Sequence, residues 1–169
     1  VASIRNLIVD AIEARLAEIT EDNGYSRQVG ASRVYPYNRI PTKLPQNSVV
    51  VYASGETIQG PVANDRYECK LYISVGFATS NSARDRVDAG EAFLADVQTC
   101  MGRGFETPDN TELTISTTNY GTGNPATIIA EVLEVANEIS ESDAMPGMIV
   151  GQVDYEVTYW RNMHRPDRI

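Results

Sequence analysis

Two stretches of strict alternation constrain this chain more than any other feature in it. Tyr67, Cys69, Leu71, Ile73, Val75 and Phe77 fall on one side of an extended backbone, with Glu68, Lys70, Tyr72 and Ser74 on the other. Residues 149–159 repeat the pattern, with Ile149, Val153, Tyr155, Val157 and Tyr159 set against Gln152, Asp154, Glu156 and Thr158. Each segment predicts a strand with one apolar and one polar face. Such strands suit an antiparallel or mixed sheet covered on one side, because strands buried in a parallel sheet read as continuous apolar runs. Shorter strands are expected at 28–36, 48–53 and 112–119. Segment 127–139 fits both periods, with Ile128, Val132, Val135 and Ile139 at helical spacing and Ile129, Leu133 and Val135 alternating with Glu. Its density of β-branched residues favours a strand.

The apolar faces need a cover, and two amphipathic helices can supply it. Ile4, Leu7, Ile8, Ala11, Ile12, Leu16 and Ile19 make one helical stripe, with Ser3 as N-cap and Asp22-Asn23-Gly24 as the stop. Ala83, Val87, Gly90, Leu94, Val97 and Met101 make a second, capped by Asn81 or Ser82 and ended by Gly102 and Gly104. The fold class that follows is α/β in the α+β sense: a mixed, largely antiparallel sheet with two main helices on one face. At 169 residues the chain suits one domain, taken as 1–160, with a basic tail over 161–169. No apolar run approaches the roughly 20 residues of a membrane span. The first residues lack the basic and apolar regions of a secretory leader, so a cytosolic chain is expected. Cys69 and Cys100 are too few for a disulfide framework and read best as buried thiols.

Net charge is −9, which argues against a general duplex-DNA binder. Its distribution says more than its total. Residues 23–55 carry Arg27, Arg33, Arg39 and Lys43 without an acid, whereas 104–160 carry ten acids without a Lys or Arg. Arg161, Arg165 and Arg168 make the end basic again. This segregation predicts either a head-to-tail contact between copies or a surface for a separate partner, unless the segments mix in space into an ordinary solvated surface. Tyr25, Tyr35, Tyr37 and Tyr52 interleave with the basic residues, and Tyr–Arg combinations are enriched at protein interfaces. Stacking on single-stranded nucleic acid is the other use of that pairing, disfavoured by the overall acidity. The candidate interface is therefore Arg27, Arg33, Tyr35, Tyr37, Arg39, Lys43, Trp160, Arg161 and Arg165.

Catalytic signatures are missing. The single histidine, His164, stands in the terminal basic stretch, a poor place to hold a nucleophile–base geometry. No phosphate loop, HExxH, EF-hand or GxGxxG pattern occurs, and Gly121-Thr122-Gly123 reads as a turn. Acid pairs such as Asp85 with Asp88, or Glu131 with Glu134, read as solvated faces. No catalytic, metal or cofactor residues are assigned, and no enzyme activity or cofactor is expected.

The order of elements resembles the tail terminator, or tail completion, proteins of long-tailed bacteriophages. The likeness rests on the helix Ile4-Arg5-Asn6-Leu7-Ile8-Val9-Asp10-Ala11-Ile12 and the strand Leu71 to Phe77. It continues through Leu94-Ala95-Asp96-Val97 in the second helix and the final strand Asp154-Tyr155-Glu156-Val157-Thr158-Tyr159. The resemblance implies a homo-hexameric ring in the virion tail, assembled in the host cytoplasm. Such a ring caps the tail tube protein, ends its polymerisation and joins the neck or head–tail connector, passing the genome DNA without binding it specifically. No catalytic residues come with it. The long loop 35–46, the acidic region 131–143 and the tail after Tyr159 depart from the compact pattern, leaving the ring's orientation and a sheath protein contact open. An acidic lumen of Glu131, Glu134, Glu138, Glu141, Asp154 and Glu156 would repel phosphate as DNA passes. Another neck protein or minor baseplate component is the alternative, and a small hydrolase or cellular binding module a distant one.

Overall fold

The computed structural model describes residues 3–62, 66–80, 86–103, 112–117 and 126–162. Six strands join in one sheet: β1 (Val34–Pro36), β2 (Ser48–Pro61), β3 (Arg66–Ser80), β4 (Glu112–Thr117), β5 (Ala126–Glu141) and β6 (Met148–Asn162). Their spatial order is β1-β2-β3-β6-β5-β4, with β1 and β2 parallel and every other pair antiparallel. Two helices, α1 (Ile4–Leu16) and α2 (Arg86–Arg103), complete an α+β fold. The ambiguous segment is a strand, as its β-branched residues indicated.

The core forms where the two predicted stripes meet the alternating strands. Ile4, Ile8, Ile12 and Leu16 of α1 and Phe93, Val97 and Cys100 of α2 pack against Val49, Val51, Leu71, Ile73, Val75, Val153, Val157 and Tyr159. Full burial of an Ile or Leu contributes about 1.5–3 kcal/mol, so the four α1 anchors hold that helix on the sheet. Ser3 caps α1, its Oγ accepting the Asn6 N–H at 3.2 Å. In α2, Gly90, Leu94, Val97 and Met101 are buried as the stripe required. Phe93 and Cys100 are buried beside them, which widens the face beyond that stripe.

Several boundaries differ from the sequence reading. α1 ends at Leu16, not near Ile19. The chain then turns so that Ile19 remains buried, and a short 3-10 turn at Glu21–Asn23 closes on Gly24 at φ 84°. The strand expected over 28–36 shrinks to β1, because residues 31–33 form a 3-10 turn after Gly30 at φ 65°. β2 runs on to Pro61, well past residue 53, carried by its pairing with β3. β6 continues two residues beyond the expected domain limit at 160. The proposed cap and Ala83 of α2, Gly104, the 117–125 loop beyond Thr117, His164 and Arg165 lie outside the described residues.

A loop–helix clasp fixes the turn after α1. Asp96, buried on α2, accepts Ser26 N–H at 3.1 Å and Ser26 Oγ–H at 2.7 Å. Cys100 Sγ lies 3.1 Å from the Arg15 carbonyl near the end of α1. These contacts tie the two helices and the following loop into one layer on the sheet.

Candidate functional site

With both helices on one side, the polar face of the sheet is left without a covering layer among the described residues. Strand register places Tyr52 of β2, Lys70, Tyr72 and Ser74 of β3, Gln152, Asp154, Glu156 and Thr158 of β6, and Leu133 and Glu138 of β5 on that face. Its carboxylates are held by neighbours. Ser74 Oγ donates to Asp154 Oδ1 at 2.6 Å, Gln152 Nε2 donates to the same oxygen at 2.8 Å, and Lys70 Nζ sits 2.6 Å from Glu156 Oε1. That last hydrogen bond pushes the Lys70 ammonium above its ordinary range.

Four of the six expected lumen acids share this face. Glu131 stands opposite Thr158 and Glu138 opposite Gln152, in the same layer as Asp154 and Glu156. Glu134 and Glu141 stand apart from them. Glu134 faces the helices, where it accepts from Gln98 Nε2 at 2.8 Å, and Glu141 pairs with Ile149 on that same side. The physical reason is the strand period: an irregularity between Glu134 and Ala136 absorbs Val135, and residues 134 and 141 both alternate to the covered face. Against Glu68, Glu131, Glu138, Asp154 and Glu156, the face presents Lys70 and, at its end, Arg66. It is acidic on balance.

The basic candidates divide in the same way. Arg39 and Lys43 are exposed, as is Tyr37, whose ring lies 4.4 Å from that of Tyr52. Tyr35 sits half-buried on the edge strand β1. Arg33 spends one arm on the Gln46 carbonyl at 2.6 Å, bracing the 37–46 loop. Two residues are corrections to the interface set. Arg27 turns inward, its Nη2 donating to Ala89 O at 3.2 Å and its Nε buried without a partner. Arg161 also turns inward, 3.2 Å from both Glu56 Oε1 and Cys69 Sγ. Tyr159 donates its hydroxyl to the other Glu56 oxygen. Their alternation explains it: residue 161 follows Tyr159 on the covered face, while Trp160 points outward, half exposed.

The sequence reading missed the exposed pair Leu133 and Val135, each 53% exposed. In a regular strand two residues apart share a face with their whole set, and here they lie opposite the buried Val132. The signal was apolar residues at three of the four positions 132–135, more than one covered face uses. Among the described residues no three His, Cys, Asp or Glu side chains gather as a metal-holding group, and no helix is long and apolar enough to cross a membrane. No protein-family model matches the chain, and no curated protein sequence matches it.

Proposed function

We propose that this chain is a structural subunit of a bacteriophage tail that closes into a hexameric ring, caps the tail tube and joins it to the neck. The observation that carries the reading is the acidic, uncovered sheet face, which holds Glu131, Glu138, Asp154 and Glu156 together. A face of that kind lining an opening would repel DNA phosphates and keep the genome sliding. The α+β fold with both helices on the other side also agrees with the architecture that the resemblance implies. On this reading the chain acts by assembly and not by catalysis, and its partners are its own copies, the tube protein and the neck. Assembly belongs in the host cytoplasm.

Imaging tails made with and without this chain tests the role. Tubes of irregular length that fail to join capsids in its absence are expected. Tubes of normal length joined to filled capsids would rule the terminator role out. A tube of normal length that fails only to join the capsid would favour a neck component instead.

A further inference from the structure

The two lateral edges of the sheet match one another at the same level along the strands. On one side, β1 pairs with β2 only over Val49, Val50 and Val51, so the outer edge of β2 loses its strand partner from Tyr52 onward among the described residues. On the other side, β4 pairs with β5 only over Ala126–Glu131, so the outer edge of β5 has no described strand beside it from Val132. The register across the four central strands runs Tyr52, Ser74, Asp154, Ala136 in one row and Gly55, Tyr72, Glu156, Leu133 in another. The exposed Tyr37–Tyr52 pair on one edge therefore stands level with the exposed Leu133 and Val135 on the other. The row below links Val50 to Glu138, beside β1 and its basic loop.

Charge follows the same order. Exposed Arg39 follows Tyr37 in the 3-10 turn Tyr37–Arg39, close enough to feel Glu13 of α1, and exposed Lys43 comes four residues later in the same loop. Exposed Glu138 lies on β5 beyond Val135, and exposed Asp143 in the turn after it. A two-fold contact of either edge with itself would set like charges against each other. Contact of one edge with the other sets opposite charges together and apolar side chains together. Because matched groups lie at one level, copies related by pure rotation about an axis along the strands meet without an axial shift. Repeated head-to-tail contacts of that kind close into a ring. Arg5 Nη2 already occupies the Ala53 carbonyl at 2.9 Å, and the register breaks between Ala53 and Gly55. The contact is thus built mainly from side chains and not from a continued ladder.

We propose that the Tyr37–Tyr52 edge of one copy docks on the Leu133–Val135 edge of the next, with Arg39 and Lys43 of the first copy facing Glu138 and Asp143 of the second. The inference rests on the ring reading and names the interface that would build it. The experiment is disulfide trapping between separately purified Tyr52→Cys and Val135→Cys full chains, with native mass measurement of the unsubstituted protein alongside. Heterodimers that form only in the mixture are expected, and a chain carrying both substitutions should give a ladder ending at six copies. Rings that form by native mass without that crosslink would overturn this interface and leave the ring reading standing. Crosslinks within either single variant alone would overturn it in favour of a two-fold contact. A protein that stays monomeric and uncrosslinked at high concentration would overturn the interface, while the tail imaging judges the terminator role separately. An Arg39→Glu chain should lose assembly and regain it with Glu138→Arg, a rescue that misfolding cannot mimic.

Discussion

Gly151 on β6 lies against the ring of Phe77, which occupies the space a Cβ would need. Gly151→Ala should therefore lower stability by about 1–3 kcal/mol, read as a shift of the urea midpoint at constant slope. A Cβ on Gly90 would also be crowded, by Ile149 Cγ2 at 2.8 Å and Ile139 Cγ2 at 2.9 Å, branch methyls that β-branching holds stiffly in place. Helix propensity returns about 1 kcal/mol to Gly90→Ala, so its net loss should be smaller than that of Gly151→Ala. The Cys100 thiol gives a pH prediction. Burial pushes its pKa up to about 11 from 9.0. A folded-state pKa above the unfolded value means that the stability contribution is complete below pH 9 and is lost as pH rises through about 11. In a Cys69→Ser chain, which leaves Cys100 as the single thiol, thiolate absorbance should rise near pH 9 in the unfolded protein and near pH 11 in the folded protein; coincident titrations would contradict the burial. The alternation of residues made these core positions legible in advance. The inward turns of Arg27 and Arg161 were not legible, because a charged residue in a basic segment carries no sign of the carbonyl or carboxylate it will meet.

At the level of elements, the last residues of β6 carry a polar clasp. Arg161 links β6 to Glu56 on β2 and to Cys69 on β3, across the covered side of the sheet. Arg161→Ala should cost about 1–3 kcal/mol through the Glu56 carboxylate left without its cation, whereas Lys43→Ala on the exposed loop should stay within about 0.5 kcal/mol. Thermal or urea unfolding distinguishes the two; equal losses would place Arg161 on the surface, where the sequence reading put it. Asp96→Ala should also cost about 1–3 kcal/mol, because it removes the two hydrogen bonds that Ser26 makes to a carboxylate across the loop–helix clasp. Long strands with clean alternation were legible as elements, and so was the cap at Ser3. The ends were not. β2 extends to Pro61 because β3 offers a partner along its whole length, a fact that pairing reveals and composition does not. The 28–36 segment fails as a long strand because Gly30 takes a left-handed φ and starts a 3-10 turn.

On the scale of the whole molecule, the sheet separates an apolar, helix-covered side from an acidic one left open among the described residues, and sets a basic, tyrosine-bearing edge opposite an acidic, aliphatic one. The sequence already held the segregation of charge along the chain. Its division between a face and two edges depends on strand order, since β6 is last in sequence yet central in the sheet. The irregularity at Val135 then decides which acids share the open face. On the proposed function, that face turns toward the opening of a ring. An image reconstruction of the assembled tail at the junction with the neck is the most direct test. Six copies around the axis are expected, with Glu131, Glu138, Asp154 and Glu156 turned toward the channel; a ring with those carboxylates on its outer rim would overturn the proposal.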